Sequence, residues 1–282
     1  MALSVGFVHV HRGSCLHEVP GVRLEPFVHD CCHGQLLGTG RATNGSVLCY
    51  LLERGWFGAF SRRGEYHQVM APLLRIAYAN FNKWKKVEKH QCSQPRFTVA
   101  RLNRRLRSTY PSLSAKAGAS KILTFWLAQQ AREQAAASDS TPLDRKVAVC
   151  IWAYARALQV LDTSPLIMTD DQKFEFHNMV MLHLRTYAAL RLDSSQKKGK
   201  ELNRCNWQLQ PKHHHFQHCA EDTLIEGVNP KIYTLLAAES WIGIMGRISK
   251  RCHRSSVAKR TLERYLTCLF FAIKKLKAKA RA

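Results

Sequence analysis

Thr141-Pro142-Leu-Asp144-Arg-Lys-Val147-Ala-Val-Cys150-Ile-Trp-Ala-Tyr-Ala155 points to an α-helical fold. Thr141 offers a capping oxygen. Pro142 suits a first helical position, because the N–H it lacks would find no helical partner there. Asp144 complements the positive end of the helix dipole. From Val147 to Ala155 the run is apolar nearly all round, as in a helix placed centrally in a bundle. The pattern predicts a helix over 142–161.

The same period continues on both sides. Thr169-Asp-Asp-Gln172 reads as a capping box. The helix behind it should run to about Leu192, with Phe176, Val180, His183, Tyr187 and Leu190 on one side. Residues 193–199 are a polar break. Pro211 opens a helix through 213–218 to about Ile225, and 227–230 turn the chain. Residues 240–251 are amphipathic through Trp241, Ile244, Met245 and Ile248. Beyond a turn at 252–255, a last helix over 257–279 spaces Leu262, Leu266, Leu269, Ile273 and Leu276 alternately four and three apart, a packing seam. Toward the N-terminus, Ser112 or Ser114 should cap a helix to about Ala137 carrying Ile122, Phe125 and Trp126. From Glu65, a helical face holds Val69, Leu73, Leu74, Ala77, Phe81 and Trp84. Gln94-Pro95 breaks the chain, and a short helix is expected over 98–106.

Residues 1–64 have a different texture. They hold ten of the fifteen Gly and four of the ten Cys. They read as short strands at 5–11, 22–28 and 46–52 separated by turns, with too little apolar content for a separate core. The expected fold is therefore mainly α: an irregular helical bundle over 65–282, with a small, irregular, β-containing segment over 1–64.

Charge is the next constraint. The 282 residues carry 43 Lys+Arg against 20 Asp+Glu, a net of +23, while 46% are apolar. The apolar share suffices for a core. Self-repulsion of this size is relieved by an anionic partner, most commonly nucleic acid. The excess is placed on two flanks. Residues 83–107 hold nine Lys/Arg and one Glu, and 247–282 hold twelve and one. Residues 133–193 are slightly acidic, with eight acids against six Lys/Arg. Within the flanks, Arg101, Arg104, Arg105 and Arg107 form one cluster. Arg247, Lys250, Arg251, Arg254, Lys259 and Arg260 form another, across two helices and a short turn that match a helix-turn-helix. The alternative for both is a solvated helical surface.

No apolar run approaches the ~20 residues that span a bilayer, so no membrane partner is expected. The first ten residues make a poor signal peptide. The ten Cys include no C-x-x-C pair, which fits reduced thiols in an intracellular compartment. Lys274-Lys275-Leu-Lys277-Ala-Lys279 fits a nuclear address.

The order of several motifs resembles a known family. Ser93-Gln-Pro-Arg-Phe-Thr98 precedes Arg107-Ser-Thr-Tyr-Pro-Ser-Leu113, then Gln210-Pro-Lys-His-His-His215 and Asn229-Pro230. Gly243-Ile-Met-Gly-Arg-Ile-Ser-Lys250 and Arg260-Thr-Leu-Glu-Arg-Tyr-Leu266 follow. Over about residues 65–270 this series resembles a multi-copy, uncharacterised, mobile-element-like protein family of dinoflagellate genomes. The resemblance implies a mobile-element origin and no particular reaction. The family pattern has an acidic cluster before the Gly-x-x-Gly-Arg stretch; here Glu239 is its one acid.

Three constellations are candidates for chemistry. His214 and His218, four apart, share a helix face and suit zinc or another divalent metal, with Cys205, Cys219, Glu221 or Asp222 to add a donor. The Glu that follows the first His in zinc proteases is absent, and the bland reading is a polar helix with hydrogen-bonded His. His9-Val-His11 with Tyr66 or Tyr78 downstream matches a metal-dependent nicking arrangement, against an ordinary exposed strand. Asp170, Asp171 and Glu175 are the densest acids, but the helix dipole accounts for them. No P-loop, dinucleotide fingerprint or serine elbow is present. The expectation is a basic helical nucleic-acid-binding protein with no catalytic residues. Its alternatives are a metal-dependent nucleic-acid-processing enzyme on the 213–218 helix, an interaction module or homo-oligomer through the C-terminal helix, and a degenerate copy.

Overall fold

The computed structural model describes residues 30–61, 63–195, 206–234 and 236–279. The strands expected at 5–11 and 22–28, and the His9/His11 pair, lie outside them. The described chain is helical, and its only β feature is an isolated antiparallel bridge between Ile167 and Val228. A π-helical segment, Cys32–Thr39, runs straight into α1, Gly40–Arg54. Then follow α2 (Tyr66–Val87), α3 (Ala117–Ala136), α4 (Pro142–Thr163), α5 (Asp170–Ser195), α6 (Pro211–Glu226), α7 (Leu236–Ser249) and α8 (Val257–Lys279).

The local signals in the middle of the chain act as expected. Thr141 Oγ1 accepts from the Asp144 N–H at 3.2 Å, and the Asp144 carboxylate accepts from the Thr141 N–H at 2.8 Å. Thr169 and Gln172 make the equivalent reciprocal pair ahead of α5. α6 ends at Gly227, whose φ of 72° places it in the left-handed region that favours glycine.

α4 is the central helix, packed on α3 and α5, with α1 beside it. Val147, Cys150, Ile151, Tyr154, Ala157 and Leu158 are buried. Its burial is not all-round, since Val149 and Trp152 are 40% and 47% exposed. One half of the core gathers α1, α2 and α3 around Phe81, Phe97 and Trp126, whose rings lie 5.3 to 5.8 Å apart. The other half sets Leu36 and Cys32 against Tyr154, Phe176 and Phe216.

The structure corrects the reading of the N-terminal segment. Residues 46–52, expected as a strand, form the middle of α1, and Val47, Leu48, Leu51 and Leu52 are all fully buried. Gly, Ser and Asn in this stretch are packing devices. A Cβ on Gly45 would stand 2.7 Å from Ser112 Cα and 2.8 Å from Leu113 N, so α1 needs a glycine for the 112–113 segment to cross it. Asn44 Nδ2 donates to the Ser120 carbonyl at 2.9 Å, tying α1 to α3. Among the described residues, packing is therefore continuous across position 64.

Two further expectations change. Residues 98–106 form turns instead of a helix, pinned by Leu102 N–H to Thr98 O and Ser114 N–H to Arg101 O. α3 starts after Lys116, without a side-chain cap from Ser112 or Ser114. At the C-terminus, α7 and α8 pack on each other through Trp241 and Tyr265, with ring centroids 6.0 Å apart at 90°. Leu262, Leu266, Leu269 and Ile273 all remain exposed, while Thr261 is buried.

Candidate functional site

The basic cluster at 101–107 divides when folded. Arg104 is fully buried and cannot reach a phosphate, which corrects its expected role. Its guanidinium sits 3.4 Å from Glu53 Oε1, donates to Tyr66 OH at 3.2 Å, and also donates to the Thr109 carbonyl. Burial works against its charge, but Cys49, Tyr66 and Glu53 around it hold its pKa above the ordinary value. Arg107 lies over the Phe60 and Tyr66 rings, 5.4 Å from each centroid, as a half-buried cation–π partner. Arg101 is half-buried, and Arg105 is exposed.

Arg105 belongs to a groove of about 700 Å³ between α2 and the 97–100 loop, lined by His67, Arg75, Phe97, Thr98, Val99 and Arg105 among others. Sequence reading misses Arg75, because it lies on the solvent side of α2, outside the 83–107 run. Neither Arg75 nor Arg105 has a carboxylate ion-pair partner among the described residues. The second basic cluster stays on the surface. Arg247, Lys250, Arg251, Arg254, Lys259 and Arg260 are all exposed, around the turn that joins α7 to α8. Ser255 at this turn is already engaged, with its Oγ 2.8 Å from His253 Nδ1.

The histidines of α6 take separate roles. His213 is buried and accepts from the Gln210 N–H at 3.1 Å, a helix cap made by an imidazole. Burial lowers its pKa to about 4, although the Gln210 backbone pulls the other way. His183 on α5 is fully buried nearby, 2.9 Å from the Cys150 carbonyl. Burial lowers it to about 3; the Cys150 backbone opposes this and the neighbouring His213 adds to it. His214 and His218, the pair expected to suit a metal, lie at hydrogen-bond distance from each other, Nε2 to Nε2 2.9 Å, which the plainer reading of hydrogen-bonded His also accounts for. Glu221 Oε2 lies 3.2 Å from His218 Nδ1, where a carboxylate orients a ligating imidazole.

Asp170 and Glu175 are committed to ion pairs, with Lys173 at 2.7 Å and Arg156 at 2.5 Å. They are not gathered with a third acid into a metal-binding triad.

Sequence reading also misses a second donor cluster. Asp30, Cys32 and His33 bring their donor atoms within 4.8 Å of one another at the start of the π-helical segment. This segment packs against α6. Adjacent donors in Asp30-Cys-Cys-His33 were the available signal, but their partner helix lies far along the chain.

Over the described residues the fold is α-helical, with basic patches at its surface. No protein-family model, curated protein or solved structure matches the chain. Among the described residues, no helix is long and apolar enough to cross a membrane.

Proposed function

We propose that the chain binds nucleic acid through two basic surfaces, the α2 groove and the α7–α8 turn, and that it derives from a mobile element of the kind its motif order resembles. The observation that carries this reading is the groove of about 700 Å³ with Arg75 and Arg105 on its walls and no carboxylate paired to either among the described residues. Guanidinium groups left with water in a concave site are placed to take phosphate oxygens bidentately. The exposed cations from Arg247 to Arg260 give a second set of phosphate contacts. Such contacts position a backbone and carry little base readout, so affinity should be electrostatic. A nuclear address, fitting the basic 274–279 tail, goes with this role.

The test is titration of the full chain with short duplex and single-stranded DNA and RNA at low and near-physiological salt. Phosphate-driven binding weakens steeply as salt rises. Absence of binding at low salt overturns the reading, as does affinity that salt does not change.

A second reading, metal-dependent processing of nucleic acid on α6, is favoured by the 2.9 Å approach of His214 and His218 with Glu221 behind. Two imidazoles and open positions suit a catalytic ion. Strand cleavage that requires an added divalent metal and is lost in His214→Ala/His218→Ala would support it.

A further inference from the structure

We infer that Asp30, Cys32, His33 and His215 form a binding site for a zinc-class divalent ion that staples the π-helical segment to α6. Such a site stands apart from both functions proposed above. Two stretches meet to make it. Asp30-Cys-Cys-His33 and Lys212-His-His-His-Phe-Gln-His-Cys219 are the densest runs of metal-ligating side chains in the described chain. The fold packs one on the other around a cavity of about 160 Å³. Asp30 and His33 line one wall, and His215 lines the other. This is one step round α6 from the His214/His218 pair: His215 lines the cavity and that pair does not.

The donor chemistry selects the metal. A carboxylate oxygen, a thiolate and an imidazole nitrogen within 4.8 Å of one another can close on a single ion. Sulfur and nitrogen donors favour zinc over magnesium or calcium, which take oxygen. Asp30 and Cys32 would together supply two negative charges. They match a dication; the Lys212 ammonium, which also lines the cavity, stays outside this balance.

A plainer role for Asp30 is helix capping, since Oδ1 accepts from the Cys32 N–H at 2.9 Å and Oδ2 from the His33 N–H at 3.0 Å. Oδ2 also pairs with His33 Nδ1. The two roles are compatible. A bound ion would take the place of the proton that Oδ2 and Nδ1 share, and backbone donors of this kind orient a ligating carboxylate. Cys219, on the same cavity, is left out of the ligand set because Gln35 Nε2 already donates to its sulfur at 3.2 Å. Three donors converge within 4.8 Å and His215 lines the adjoining cavity; closing His215 onto the ion as fourth donor would give the form of a structural ion and not of a catalytic one.

The experiment uses the full chain, stripped of metal and titrated with zinc and with cobalt(II). The expected results are stoichiometric binding, tetrahedral cobalt absorption with a thiolate charge-transfer band, and a melting temperature lowered by chelation. Cys32→Ser should remove the charge-transfer band. His33→Ala and His215→Ala should each weaken zinc binding at least ten-fold. His215 is exposed, so His215→Ala keeps the test decisive even where a change at buried Cys32 unfolds the chain. Two results overturn the site: no binding by the wild-type chain, or binding lost in His214→Ala/His218→Ala while His33→Ala and His215→Ala retain it.

Discussion

Arg104 and Glu53 form an ion pair sealed from solvent, Nη2 to Oε1 3.4 Å, with side chains 0% and 1% exposed. The pair joins the 99–104 turns to the end of α1. Tyr66 OH adds a 2.7 Å hydrogen bond to the same carboxylate oxygen. An arginine from a strongly basic run of the chain thus serves the architecture.

Arg104→Met should therefore destabilise the fold by about 3–5 kcal/mol, because Glu53 keeps its burial and loses its countercharge. Arg104→Met/Glu53→Leu should recover most of that loss, since an apolar pair leaves no stranded charge. Urea denaturation of the single and double variants checks both. A double variant as unstable as the single one would show that the cost lies in packing.

Gly45→Ala reverses the usual rule for helices. Alanine for glycine in an exposed helix interior gains about 1 kcal/mol. At Gly45 the new methyl would meet Ser112 and Leu113 backbone atoms at 2.7 to 2.8 Å, and overpacking of this kind costs about 1–3 kcal/mol. Gly246→Ala in α7, where nothing lies within 4 Å of the added carbon, serves as the control and should be neutral or stabilising. Thermal melts should place Gly45→Ala below the parent chain and Gly246→Ala at or above it.

Stability should fall between pH 6.5 and pH 5. His183 and His213 have folded pKa values of about 3 and about 4, against 6.5 when unfolded. In this window the unfolded chain takes up protons that the fold refuses, so stability present above pH 6.5 is lost as the pH falls. At pH 5 each histidine should cost about 2 kcal/mol. The lowered carboxyls of Asp144 and Asp162 act below their ordinary value of 3.8, outside this window. Urea midpoints at pH 7 and pH 5 measure the loss. His213→Gln should flatten the pH dependence by about half.

The two basic surfaces can be separated by charge reversal. Arg75→Glu/Arg105→Glu should weaken nucleic-acid binding by at least ten-fold at low salt and reduce its salt slope by about 2, one for each phosphate no longer neutralised. Arg251→Glu/Lys259→Glu should do the same if the α7–α8 turn engages the same ligand. All four side chains are exposed, so stability should change by less than about 0.5 kcal/mol for each substitution. Fluorescence anisotropy gives the slopes and circular dichroism the control.

The all-α class and the helices from α4 to α8 are legible in the amino-acid order. Their signals are local: Thr141 with Asp144, Thr169 with Gln172, Pro211 at a first turn, and a 3.6-residue apolar period. Such signals need only neighbouring residues to act. Three features depend on long-range packing, and their local signals do not decide them. Residues 46–52 carry Val47, Leu48, Leu51 and Leu52 at helical spacing, but the Asn44 and Gly45 that precede them read as a turn until Ser112 and Ser120 are seen to pack on them across the core. Arg104 leaves the surface while Arg105 stays on it, because burial is set by what packs above a residue, and adjacent arginines look alike in a charge count. Asp30 and His33 share a cavity with His215 of α6 because the geometry between distant stretches depends on how helices pack, which residue spacing does not express.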